Sequence, residues 1–279
     1  MPISKRSVSS LSDFIKQILS IRDSWQKEDD EDPEDAKEKA DGSSGPIQIW
    51  FRGEANARWK LVPKAYRLKK FNENEIRTEY KLRAFQLMSE SRVPKDDKEW
   101  YFLMQHFGAP TRLLDWTDAA LIALYFAVHA QNKFTNATVW MLDPEWLNSE
   151  VLKKIDPDNY VSGVLLPDWR EVEPWFPEPF EQPLHVDLPV AVDPPHVARR
   201  VSVQRSRFTI HGKSKRGLDA LAASLPKTRL VKFMVPNRVG KQILKDLSTC
   251  GIVETSVFPD LEGLSRELET KWQQFKTHK

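Results

Sequence analysis

Glycine is scarce in this chain: ten of 279 residues, about half of what an average usage of roughly 7% gives. No two of them are spaced G-x-G, and no G-x-x-x-x-G-K-[ST] run occurs. Both phosphate-cradling loops need several glycines to bring backbone N–H groups to a phosphate, so a bound nucleotide must be held by side chains. Cysteine is rarer still. The lone Cys250 excludes an internal disulfide and a cysteine-rich zinc site, and its place before Gly251 at a helix end suits a buried, inert thiol. Six histidines form neither H-x-x-x-H nor H-E-x-x-H, so no metal is expected, and no G-x-S-x-G elbow exists. The longest apolar run, Ala119–Val128, falls far short of the ~20 residues of a membrane span. The first ten residues, MPISKRSVSS, lack the apolar core of a signal peptide. No membrane partner is expected, and the expected compartment is the cytoplasm, with the nucleus as the alternative.

What is present is charge and aromatic mass. Ten Trp, fourteen Phe and a hydrophobic share of 40% suffice for a large core. The net charge of +2 conceals a division, because residues 27–41 hold nine acids against three bases and leave the remainder at +8. Leu11, Phe14, Ile15, Ile18 and Leu19 have helical spacing, with Ser10 as N-cap. Residues 27–46 have no apolar side chain larger than alanine before Pro46 and are predicted to be a disordered acidic linker. The stretch IQIWFR then reads as a strand ending at Gly53. Further strands are predicted at 137–142, 161–166, 185–191, 206–211, 229–235 and 252–258. Helices are predicted at 73–92, 99–107, 118–130, 144–153, 217–224, 237–249 and 260–275, with a turn over 111–116 and an extended loop over 167–189. Mixing without a regular β-α repeat argues for an α+β fold, a single mixed domain with a largely antiparallel or split sheet packed by helices. The divisions are 1–26, 27–46 and 47–279.

Three clusters can carry chemistry. The segment from Gln105 to Ala127 places Gln105, His106, Thr111, Arg112, Asp115 and Trp116 around one turn before a helix, a place suited to an anion. The competing reading makes Arg112 and Asp115 a structural pair with Trp116 in the core. Arg52 closes a strand beside Gly53, which leaves room for close approach over a cleft, although an edge-strand arginine also serves as a plain surface charge. RRVSVQRSRFTIHG gathers Arg199, Arg200, Gln204, Arg205, Arg207 and His211 near a strand, with Phe208 its only aromatic, a thin basis for nucleic-acid binding.

Phe51-Arg52-Gly53, the following Trp59, Leu61 and Pro63, then QHFGAPTRLLDWT, VSVQRSRFTIHG and GIVETSVFPDLEGL stand in the order of one family, and the chain resembles the FRG domain over about 47–268. The strand-end arginine is also similar to the arginine that holds NAD phosphates in arginine-type ADP-ribosyltransferases. That likeness implies a nucleotide-type ligand, NAD among the candidates. Arg52 and Arg112 would hold its pyrophosphate, Trp116 or Phe107 would stack on a ring, and Glu254 or Asp115 would stabilise a cationic centre, with His106 a further candidate acid or base. Thr111, Gln105, Gln204 and His211 complete the expected ligand contacts. The alternatives are a non-catalytic module for nucleic acid or a phosphorylated partner, and a structural module whose polar residues brace one another.

Overall fold

A computed structural model describes residues 3–31, 46–88, 93–131, 134–158, 160–161, 163–176, 186–193 and 205–276. Seven strands form one mixed, open sheet: β1 (Ser4–Ser7), β2 (Trp50–Glu54), β3 (Leu113–Thr117), β4 (Ala137–Leu142), β5 (Val190–Val192), β6 (Ser206–Ile210) and β7 (Leu230–Val235). Their spatial order is β1-β7-β4-β2-β3-β6-β5. β1 runs parallel to β7, and every other pairing is antiparallel. Nine helices accompany them among the described residues: α1 (Leu11–Glu31), α2 (Glu73–Ala84), α3 (Asp97–His106), α4 (Ala120–His129), α5 (Pro144–Ile155), α6 (Leu218–Ala222), α7 (Asn237–Thr249), α8 (Glu254–Val257) and α9 (Leu261–Lys276).

Side-chain alternation along the central strands divides the apolar residues between two cores. Trp50, Trp140, Leu142 and Leu230 enter one, with Tyr101 and Phe102 of α3 and Trp146 and Leu147 of α5. Phe51, Val139, Met141, Val231 and Phe233 enter the other, with Phe14 of α1, Ile122 and Tyr125 of α4, Ile243 of α7 and Val257 of α8. β4 is buried at all six positions because both its faces are covered. The fully apolar α4 takes the central position that its composition requires.

Several elements differ from the sequence expectation. The segment 111–116 is no turn: Leu113–Thr117 is a strand paired along its length with β6, as burial of Leu113, Leu114 and Trp116 favours a ladder. Residues 254–257, expected as strand, form a helical turn whose start is closed by Ser256 Oγ accepting from the Val253 N–H at 2.8 Å. The strand expected at 161–166 reduces to a bridge from Leu165 to Val192, and the next one begins only at Val190. β1 has no apolar residue to announce it and exists by pairing with β7. The helix expected at 73–92 ends at Ala84, and residues 89–92 lie outside the described set. α1 continues to Glu31, into the predicted linker, where Arg229 meets Asp29 and Glu28. Residues 32–45 lie outside the described set.

α4 crosses β2 so closely that a Cβ built on Gly53 stands 1.8 Å from the Ala123 carbonyl oxygen and 2.7 Å from the Ala127 nitrogen. Both obstacles are backbone, so the clash cannot be relieved by a rotamer change. Gly53→Ala is expected to lower stability by about 3 kcal/mol, read as a lower urea midpoint. An unchanged midpoint would contradict this packing.

Candidate functional site

Arg112 is the most connected side chain of the motif region and is 1% exposed. Its Nε donates to both carboxylate oxygens of Glu73, at 2.8 and 3.1 Å. Nη1 donates to the His211 carbonyl and Nη2 to the Trp175 carbonyl. Its backbone N–H donates to the Tyr101 hydroxyl at 2.7 Å, and that hydroxyl in turn donates to Glu73. Burial works against the guanidinium charge, but Tyr101 and Glu73 outweigh it and its pKa is raised. Each nitrogen of the fork is engaged by the protein, so in this structure Arg112 serves as a brace. Its charge partner is Glu73, which the sequence reading left out, and not Asp115.

His211 lies beside this brace, fully buried, with neither ring nitrogen hydrogen-bonded and the Tyr66 ring edge-on at 6.5 Å. Burial, reinforced by the charges of Arg112 and Arg52, pushes its pKa down to about 3. Trp116 is also core, its Nε1 donating to Thr209 Oγ1 at 3.1 Å, so it offers no open face for stacking. Thr111 is buried, donating to Gln105 Oε1 and accepting from the Leu113 N–H at 3.1 Å. The fold thus places His211, Trp116 and Thr111 in its interior, around the covered strand β3, and not at an open turn.

Arg52, Gln105 and Asp115 do meet. Gln105 Nε2 donates to Asp115 Oδ1 at 2.9 Å. Arg52 Nη1 donates to the Asp115 carbonyl at 2.8 Å and stands 3.8 Å from its Oδ2. Arg52 Nε donates to Glu54 Oε1 at 3.2 Å, and buried Glu54 also accepts from Trp140 Nε1 at 3.3 Å. The Asp115 side chain remains 57% exposed, an oriented carboxylate facing solvent. Arg67 completes the group. Its pKa is lowered by burial and then by the charge of Arg52, with Glu54 and Asp115 opposing, while its Nε donates to the Val62 carbonyl at 2.9 Å. Arg67 was missed, although its place in an acid-free run of cations was visible.

Glu254 is elsewhere. It is 6% exposed at the start of α8, accepts from the Tyr125 hydroxyl and from Arg266 Nε at 2.6 Å, and lies 3.4 Å from His129 Nε2. Tyr125 and Arg266 outweigh the effect of burial and hold its carboxyl below the ordinary value. Tyr125 belongs to the core on the α4 face, whereas Arg52 alternates with Phe51 and Gly53 onto the opposite face beside Trp140. The sheet separates the two, so no single cleft holds both Arg52 and Glu254. Gly53 likewise makes room for α4 and not for a ligand. His106 sits in the last turn of α3 against the exposed Phe107, ring centroids 4.9 Å apart. Gln204, Arg199 and Arg200 lie outside the described residues. Grooves of about 370 and 480 Å³ run along α1, and neither is lined by Arg52, Gln105 or Asp115.

The FRG domain family model matches residues 47–136. The chain carries an FRG domain. The match takes in β2, β3 and α2–α4, thus Arg52, Glu73, Gln105, Arg112 and Asp115, whereas β4–β7 complete the sheet beyond it. Comparison with curated proteins and with solved structures gave no match. Among the described residues of this FRG-domain protein, no three His, Cys, Asp or Glu side chains group to hold a metal ion. No helix among them is long and apolar enough to cross a membrane.

Arg112→Ala and Glu73→Ala are each expected to cost about 3–5 kcal/mol, and the double variant Arg112→Met/Glu73→Leu less than the sum of the two. Additive urea-unfolding losses would mean the pair is not coupled. For His211 the unfolded imidazole takes a proton below about pH 6.5 that the folded one refuses until about 3. Its contribution is therefore complete above pH 6.5 and is lost as pH falls, by about 2–3 kcal/mol between pH 7 and 4.5. His211→Gln is expected to lose correspondingly less stability over that interval, and an identical loss would overturn the assignment.

Proposed function

We propose that this FRG domain binds a nucleotide-type anion at the Arg52–Gln105–Asp115 cluster. The observation that carries it is a solvent-facing carboxylate that Gln105 orients at 2.9 Å beside the Arg52 guanidinium, which stands 3.8 Å from its Oδ2, with Arg67 within electrostatic reach. Planar guanidiniums match phosphate oxygens in bidentate fashion. The exposed Asp115 carboxylate can accept from a ribose hydroxyl. With no phosphate loop in the sequence, recognition rests on side chains, in keeping with this donor set.

NAD is the ligand through which the domain acts as a transferase in this reading. Asp115 is then the carboxylate beside the arginines, placed to stabilise positive charge on the ribose. Glu254 has no part, being on the other side of the sheet.

Calorimetric titration with NAD, ADP and inorganic phosphate tests the proposal. Binding of NAD or ADP is expected to weaken about tenfold or more in Arg52→Ala and in Arg67→Ala, each removing one charge-assisted contact. The exposed Arg67 serves as the variant least burdened by folding. Absence of binding, or binding indifferent to both substitutions, would overturn it. Nicotinamide release that persists in Asp115→Asn would remove the transferase role while leaving the binding role in place.

A further inference from the structure

Six cations stand between Arg58 and Lys70, and no acid occurs from Ala55 to Asn72. Three more, Lys213, Lys215 and Arg216, follow β6. The fold joins these two segments. The Leu218 N–H donates to the Leu61 carbonyl at 2.8 Å, the Tyr66 hydroxyl donates to the Gly212 carbonyl, and Gly217 backs onto Val62. All nine cations are exposed on this joined surface.

Most of this charge has no ion-pair partner among the described residues, although the Asp219 carboxylate lies at the joint, accepting from the Leu61 N–H at 3.3 Å. Elsewhere Arg77 and Lys81 meet Asp97, Arg205 and Arg207 meet Asp118, and Arg229 meets Asp143. On this surface only Lys213 meets a carboxylate among the described residues, that of Asp187 at 3.6 Å. Lys64, Arg67 and Arg216 donate to the carbonyls of Gly108, Val62 and Ala220, which fixes their stems without cancelling their charge. Two aromatic faces accompany them. Trp59 lies within the run at 52% exposure, and Phe107, next to the glycine that anchors Lys64, is 70% exposed.

We propose that this face binds single-stranded nucleic acid, the cations following the phosphates and Trp59 and Phe107 stacking on bases. A cationic track with interleaved exposed aromatics matches unstacked bases on a charged backbone. Residues 58–70 consist of loop and one short 3-10 turn, Lys64–Arg67, with no helix to enter a duplex groove. The track does not coincide with the basic stretch 199–207 that the sequence first suggested for nucleic acid. It also stands independently of the anion site, sharing only Arg67 with it, and the variants below leave that residue untouched.

Fluorescence anisotropy with labelled 15-mers of oligo(U) and oligo(dT), using the full chain, tests the proposal. Binding is expected with log K falling linearly in log salt, with a slope of about −3.5 for some five phosphates on a single strand. Lys60→Glu/Lys64→Glu and Lys215→Glu/Arg216→Glu are each expected to weaken it about tenfold or more and to flatten the slope. Trp59→Ala is expected to lose about tenfold while Trp59→Phe keeps most of the affinity, a contrast that charge alone does not produce. Thermal unfolding of these surface variants at the wild-type temperature shows that they fold. Tighter binding of either 15-mer identifies the strand as RNA or DNA. No binding at low salt, affinity unchanged by both double variants, preference for a duplex of the same length, or binding confined to phosphatidylserine vesicles would each overturn it. Arg52→Ala is expected to leave oligonucleotide binding unchanged, so the two sites can fail separately.

Discussion

The buried ion pair of Arg112 with Glu73 organises the region that the family match covers. A guanidinium this deep is tolerated only when its charge and all its donors are met, because the desolvation of an unpaired ion in an apolar interior exceeds what packing returns. Here one side chain ties α2 through Glu73, β3 through its own backbone, the end of β6 through His211 and the turn 170–175 through Trp175. Tyr101 of α3 closes the ring by touching both partners. The elements converge because the charge requires them to. The neutral state of His211 and the burial of Thr111 follow from the same requirement.

From that anchor the polar surface is built outward. β3, held at its start by Arg112, carries Asp115 two residues after Leu113 into the reach of Gln105 and Arg52. The F-R-G triplet divides its labour by strand alternation. Phe51 enters the core under α4, Arg52 turns to the opposite face, and Gly53 leaves the space that the backbone of α4 occupies. A single residue type at each of three adjacent positions thus satisfies a core, a polar cluster and a helix crossing. The same alternation places Glu254 and Arg52 on opposite sides of the sheet.

Much of the frame was legible in the sequence. α4 announced itself as a helix apolar on nearly all sides, α7 matched its predicted bounds of 237–249, and β4 and β7 were visible as compact apolar runs. The α+β class with a largely antiparallel sheet followed from the irregular order of elements. β3 was not legible, since Thr111, Arg112 and Asp115 have the polarity of a turn, and only Glu73, thirty-nine residues upstream of Arg112, makes the burial of that arginine acceptable. β1 has no apolar signal because an exposed edge strand is specified by its partner. The helical turn at α8 was obscured by apolar Ile252, Val253 and Val257, whose pattern also suits a strand, until the capture of Glu254 by Tyr125 and Arg266 decided it.

The sequence by itself determined the chemistry on offer: too little glycine for a backbone phosphate cradle, one cysteine, and an excess of arginine and lysine outside the acidic segment. It also supplies Phe51-Arg52-Gly53 and QHFGAPTRLLDWT within the FRG match. Tertiary structure alone decided which of them meet solvent. Arg52 and Arg112 are the same residue type in neighbouring motifs, and one lies at a polar surface while the other is spent inside. The distinction depends on Glu73, Tyr101 and two backbone carbonyls supplied by distant segments, and no local pattern around either arginine records it.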